Sequence, residues 1–137
     1  RQRFLESMNC AQAIMETYAP ALGMSIEDAK RVSASFARGM GMGSECGALT
    51  GAFMVIGMKF GKTRDDDSTA DSETFRQMDR LLAEFKKRHE HIDCSSLLET
   101  DMSSNSGILF ARLKGHFKTR CPNFVESAAE ILEELLV

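Results

Sequence analysis

Apolar residues recur at helical spacing along almost the whole chain, and no stretch alternates apolar and polar positions long enough to read as a strand. Phe4, Leu5 and Met8 open an apolar face that Ile14, Met15 and Tyr18 continue, which predicts helix over Phe4–Ala19, closed by Pro20. Asn9 suits an N-cap inside that region, which allows a short lead-in helix and a new one beginning at Cys10. Ser25 caps the next helix, with Asp28 at the reciprocal position of a capping box. Ala29, Val32 and Phe36 form its apolar face, and it is expected to stop before Gly39. Gly39-Met-Gly-Met-Gly43 reads as a loop, because no strand precedes it and its glycines are too closely spaced for a dinucleotide fingerprint.

Helix resumes near Ser44 and runs to about Phe60. It is apolar nearly all round, as a buried central helix is. Gly43, Gly47 and Gly51 recur every four residues and so share one face of it, widened by Ala48 and Ala52. Each helical glycine costs about 1 kcal/mol relative to alanine, so this face is expected to receive a closely packed helix or a flat cofactor. Lys62–Ser72 is an acidic surface loop without the spacing of a calcium loop. Glu73–His91 is amphipathic through Phe75, Met78, Leu82 and Phe85. Asp93 and Cys94 restart the chain with Leu97 and Leu98 in a short helical turn. Thr100–Gly107 is a polar break, and Ile108–Phe117 is helical. Pro122–Val137 is the last helix, with proline at its first position and Phe124, Val125, Ala128, Ile131, Leu132 and Leu135 as its buried face. The expected fold is all-α, one domain over residues 1–137. It is a bundle of about five to seven helices around the glycine-rich one.

The chain has 137 residues, 43% of them hydrophobic, enough for a single core and too many for a disordered chain. Net charge is −3 and no basic stripe is visible, which argues against nucleic acid or an acidic membrane surface as partner. Ala48–Phe60, the longest apolar-leaning stretch, is too short and glycine-rich to span a bilayer. A chain with this core does not need disulfide staples, so a reducing compartment, the cytoplasm, is expected. The first residue is Arg1 rather than Met, which leaves room for an export signal removed ahead of it. Met40, Met42, Met54 and Met58 raise methionine ligation of copper, but Met54 and Met58 have the spacing of core residues on one helix face.

Cys10, Cys46, Cys94 and Cys121 lie far apart, with no C-x-x-C pair among them and no C-x-x-C-H haem attachment. If they act together, the fold assembles them from separate helices. All four fall near predicted helix starts, where partial positive charge and unpaired N–H groups favour the thiolate, both nucleophile and metal ligand. Arg120 is placed to stabilise a thiolate at Cys121. The competing reading is that each cysteine is a small buried hydrophobe. That reading is strongest for Cys10 beside Ala11 and Ala13, and weakest for Cys94 and Cys121 among polar neighbours. His89, His91 and His116 suit surface or capping roles.

Asn9-Cys-Ala-Gln-Ala13, Gly39-Met-Gly-Met-Gly43, Cys46-Gly-Ala-Leu-Thr-Gly51, Cys94-Ser-Ser-Leu-Leu98 and Cys121, in that order, resemble the C_GCAxxG_C_C family of redox-active proteins over nearly the whole chain. Glu45 precedes Cys46 where the family's name pattern has glycine. The resemblance implies a small all-α protein whose site is Cys10, Cys46, Cys94 and Cys121, binding a redox cofactor or metal or cycling as thiols.

Two mechanisms then stand for a redox or electron-transfer protein with an unknown redox partner. Four thiolates hold an iron–sulfur cluster or one tetrahedral metal. Alternatively two thiols cycle with a disulfide, Cys46 or Cys121 being the better nucleophile. A cofactor module using the face of Gly43, Gly47 and Gly51 is a second class. A third is a helical interaction domain, in the form of a homodimer, with structural cysteines.

Overall fold

The computed structural model describes residues 1–137 and is all-α. Helix α1 (Gln2–Ser7) ends where Met8 turns left-handed at φ 57°. Asn9 then starts α2 (Cys10–Tyr18), its side chain accepting the Gln12 N–H at 2.9 Å. The division of the first apolar region at Asn9 is therefore real. A 3-10 turn at Pro20–Leu22 leads to α3 (Ile26–Ser33), capped by Ser25, whose hydroxyl accepts the Asp28 N–H at 3.1 Å. Val32, expected on the apolar face, is exposed, and the buried side of α3 is Ala29 and Ser33. The helix ends early, in a 3-10 turn at Ala34–Phe36, so the face built on Val32 and Phe36 never forms.

Gly39–Gly43 is a tight turn with left-handed residues from Arg38 to Gly41 and again at Gly43. Helix α4 (Gly47–Phe60) follows, with Gly47 to Ala52, Val55 and Ile56 all buried. Helix α5 (Ser68–His89) begins earlier than its apolar pattern, because Asp67 caps it by accepting the Ala70 N–H at 3.1 Å. Its core face is Gln77, Leu81 and Phe85, and Phe75 lies in solvent. The chain continues through α6 (Cys94–Leu98), α7 (Asn105–Leu113), α8 (His116–Thr119) and α9 (Cys121–Leu135). The helices outnumber the five to seven expected because local caps at Asn9, Asp93 and Ser104 cut the chain into short pieces. The predicted inner face of α9 is buried throughout.

Helices α2, α4, α5 and α9 enclose one cluster of 26 buried residues. Its middle is the contact of α2 with the glycines of α4. A Cβ on Gly47 would lie 3.0 Å from the Cys10 Cβ and 3.1 Å from the Phe36 carbonyl oxygen. One on Gly51 would lie 3.0 Å from the Ala11 carbonyl oxygen. The glycine face thus seats α2, and no flat cofactor has room there. Gly43 is not on that face at all. It precedes α4 in the turn, at φ 70°, and a Cβ would run into the Ser95 hydroxyl at the start of α6. No helix is long and apolar enough to cross a membrane.

Candidate functional site

Each of the four cysteines stands at a helix start: Cys10 begins α2, Cys46 is the residue before α4, Cys94 begins α6 and Cys121 begins α9. The fold gathers these four starts by identifiable contacts. Gly47 lets α2 approach until Cys10 touches the first turn of α4. A single antiparallel bridge between Glu45 and Asp93 ties the start of α4 to that of α6. In it the Cys46 N–H donates to the Ile92 carbonyl at 2.8 Å and the Cys94 N–H to the Ser44 carbonyl at 2.6 Å. Asp93 then caps α6 by accepting the Ser96 N–H at 2.9 Å. The bridge occupies the position where the family pattern has glycine before its central cysteine, and Glu45 fits it.

All four thiols are unpaired. Cys46, Cys94 and Cys121 are buried and Cys10 is partly exposed. Cys10 is the hub, with Cys121 and Cys46 both near enough to act on its thiol. Cys121, then Cys46, then burial itself, hold Cys10 as a thiol well above its ordinary pKa. Cys46 is shifted the other way. The hydrogen bond from Cys10 outweighs its burial, and the N–H groups of Ala48 and Leu49 at the head of α4 add to it, so Cys46 is biased toward thiolate. Burial, followed by the charges of Cys46 and Cys121, pushes Cys94 up to about 12.

A cavity of about 340 Å³ opens on this cluster. Cys10, Cys94 and Cys121 line it, with Phe4, Met8, Ala37 and Phe117 as apolar wall and Arg38 and Arg112 as its charges. Cys46 does not line it and is 4% exposed. No histidine lines the cavity. His89 is instead set between Phe85 and Phe124, with Nε2 2.8 Å from the Ser127 hydroxyl. No group of three or more His, Cys, Asp or Glu side chains is arranged to hold a single metal ion.

The four cysteines singled out in the sequence thus come together, and Gly43, Gly47 and Gly51 serve their packing. Arg120, expected beside a Cys121 thiolate, points elsewhere, donating to Glu99 at 3.2 Å and to the Leu97 carbonyl at 3.4 Å. The cationic groups beside the thiols are Arg38 and Arg112, which sequence reasoning missed. The one signal available was indirect: Arg38 adjoins the glycine turn that leads to Cys46. No curated protein and no solved structure matches the chain. The family model described as "Putative redox-active protein (C_GCAxxG_C_C)" matches residues 8–135. With that match covering nearly its whole length and all four cysteines, the chain belongs to the C_GCAxxG_C_C family.

Proposed function

We propose that the protein is a thiol redox carrier in which Cys10 and Cys46 cycle between dithiol and disulfide beside the cavity. The observation that carries this reading is the Cys10–Cys46 pair, a partly exposed thiol on the cavity wall packed against the start of α4, where the buried, thiolate-biased Cys46 stands. The thiolate-biased Cys46 takes the Cys10 proton as the Cys10 sulfur attacks one sulfur of a disulfide R–S–S–R′. That S–S bond breaks as a mixed disulfide forms, and R′S⁻ takes the proton back from Cys46 and leaves as R′SH, which returns Cys46 to the thiolate. The Cys46 thiolate then attacks the Cys10 sulfur and expels RS⁻, which takes a proton from solvent. Two electrons pass to the substrate, which leaves as two thiols, and Cys10 and Cys46 are left joined. Cys121, also in reach of Cys10, is the neighbour onto which the disulfide can be passed. Reversing the steps makes the protein an oxidant of thiols.

A second reading has its own support. Three of the four cysteines already share one cavity wall, as ligands of an iron–sulfur cluster would. Cys10, Cys46, Cys94 and Cys121 would hold it, and it would supply one-electron transfer. A single tetrahedral ion fits less well, since no three of these side chains converge on one point.

Anaerobic purification with absorption spectra, metal analysis and thiol counts separates the readings. The dithiol reading predicts no visible charge-transfer bands and the loss of two thiols per chain on treatment with a small disulfide. Iron with visible bands that vanish in Cys46→Ser would transfer the account to the cluster. Four thiols inert to every disulfide in a metal-free protein would end both.

A further inference from the structure

Two positive charges stand at the cavity beside the thiols, and nothing in the chain neutralises them. Arg38 follows the 3-10 turn, in the left-handed region at φ 55°, and Arg112 lies in the last turn of α7. Both line the cavity, and no carboxylate does. Most other arginines are engaged, among them Arg1 with Glu126, Arg88 with Glu130 and Arg120 with Glu99. Arg38 and Arg112 take part in no ion pair of the molecule. Arg38 is near enough for its charge to act on Cys94 against the effect of burial.

A guanidinium presents its donors as a planar fork that matches a carboxylate. The chain as a whole carries a net charge of −3, so a small anion is repelled by the molecule at large. Attraction at this cavity therefore has to come from the two local guanidinium groups. The remaining wall is apolar, from Phe4, Met8, Ala37 and Phe117, and suits the hydrocarbon part of a small molecule. A volume of about 340 Å³ falls within the range of small-ligand pockets, roughly 300–1,000 Å³.

We infer that the substrate of the thiol pair is a small disulfide bearing carboxylates, its anionic groups held by Arg38 and Arg112 and its S–S bond laid against Cys10. The inference rests on the dithiol reading above and names its substrate class. In the exchange the substrate's S–S bond breaks, the Cys10–Cys46 bond forms, and two carboxylate-bearing thiols leave.

The test compares the rate of thiol loss from the reduced full chain with three disulfides at fixed pH and low salt. These are oxidised glutathione, neutral 2-hydroxyethyl disulfide and cationic cystamine. The expected order is anionic, neutral, cationic, with the anionic disulfide roughly tenfold faster than the neutral one. Added salt should shrink that ratio. Arg38→Gln with Arg112→Gln should bring the ratio to about one or below, while Arg38→Lys with Arg112→Lys keeps it above one, which separates charge from altered folding. A neutral disulfide that reacts as fast as the anionic one, or a preference that survives the double glutamine variant, overturns this inference and leaves the dithiol reading standing. Thiols that react with none of the three overturn both.

Discussion

At the scale of single residues, the four thiols are chemically unequal although they are the same side chain at the same kind of position. Cys46 has N–H groups and the Cys10 thiol aimed at it, whereas Cys94 has mostly burial and neighbouring sulfurs. Cys94 rises from the ordinary 9.0 to about 12. A thiol held neutral in the folded state contributes stability that is complete below its unfolded pKa. That contribution is lost as pH rises toward the folded value, at about 1.4 kcal/mol per pH unit for one group. Urea unfolding of the reduced chain should weaken from about pH 9 to about pH 12, and less steeply in Cys94→Ser than in the wild type. Equal slopes would contradict the burial of this thiol. Tyr18 gives a second readout, because it is the only tyrosine. Its hydroxyl donates to Glu133 at 2.8 Å and to the Ala129 carbonyl at 3.1 Å, tying α2 to α9. Burial and the Glu133 carboxylate raise its pKa above the ordinary 10.0. Absorbance titration should find the phenolate forming well above pH 10, and Tyr18→Phe should lower stability by about 1 kcal/mol.

At the scale of elements, the glycines of α4 make opposite predictions from one sequence feature. Gly57 has nothing within 4 Å of where its Cβ would stand, so Gly57→Ala should stabilise by about 0.5–1 kcal/mol through helix propensity alone. Gly51 has the Ala11 carbonyl oxygen at 3.0 Å and its Cα at 3.1 Å, both backbone atoms that cannot swing aside. Gly51→Ala should therefore destabilise, by about 1–3 kcal/mol, measured by the same urea midpoints. Asn9→Ala removes the cap of the helix that Cys10 begins and the bond from Asn9 to the Ala34 carbonyl at 3.1 Å, and should cost about 1 kcal/mol. These elements also mark what the sequence made legible. Ser25, Asn9 and the apolar repeat of α9 were readable because a cap or a buried stripe is written within a few residues. Val32 and Phe75 were misplaced because apolar spacing marks a candidate face without fixing which face the rest of the fold covers. That α2 rather than a cofactor fills the glycine face is a tertiary fact, since small residues record close approach without recording by what.

At the scale of the whole molecule, thiols spread over most of the sequence meet because four helix starts are drawn to one place. The cysteine set and its placement at helix starts were legible. The pairing of Cys10 with Cys46 and the charges at the cavity were not, because Arg38 and Arg112 come from segments with no pattern linking them. The Glu45–Asp93 bridge and the Gly47 contact set the arrangement, so the redox reading depends on the packing of α2, α4 and α6 as much as on the sulfurs. The most direct measurement is a peptide map of the chain after mild oxidation with a stoichiometric small disulfide, quenched in acid and digested without reduction. The account predicts one dominant intramolecular disulfide joining Cys10 to Cys46. Recovery of Cys10 as a free thiol, with any disulfide confined to other cysteines, would contradict it.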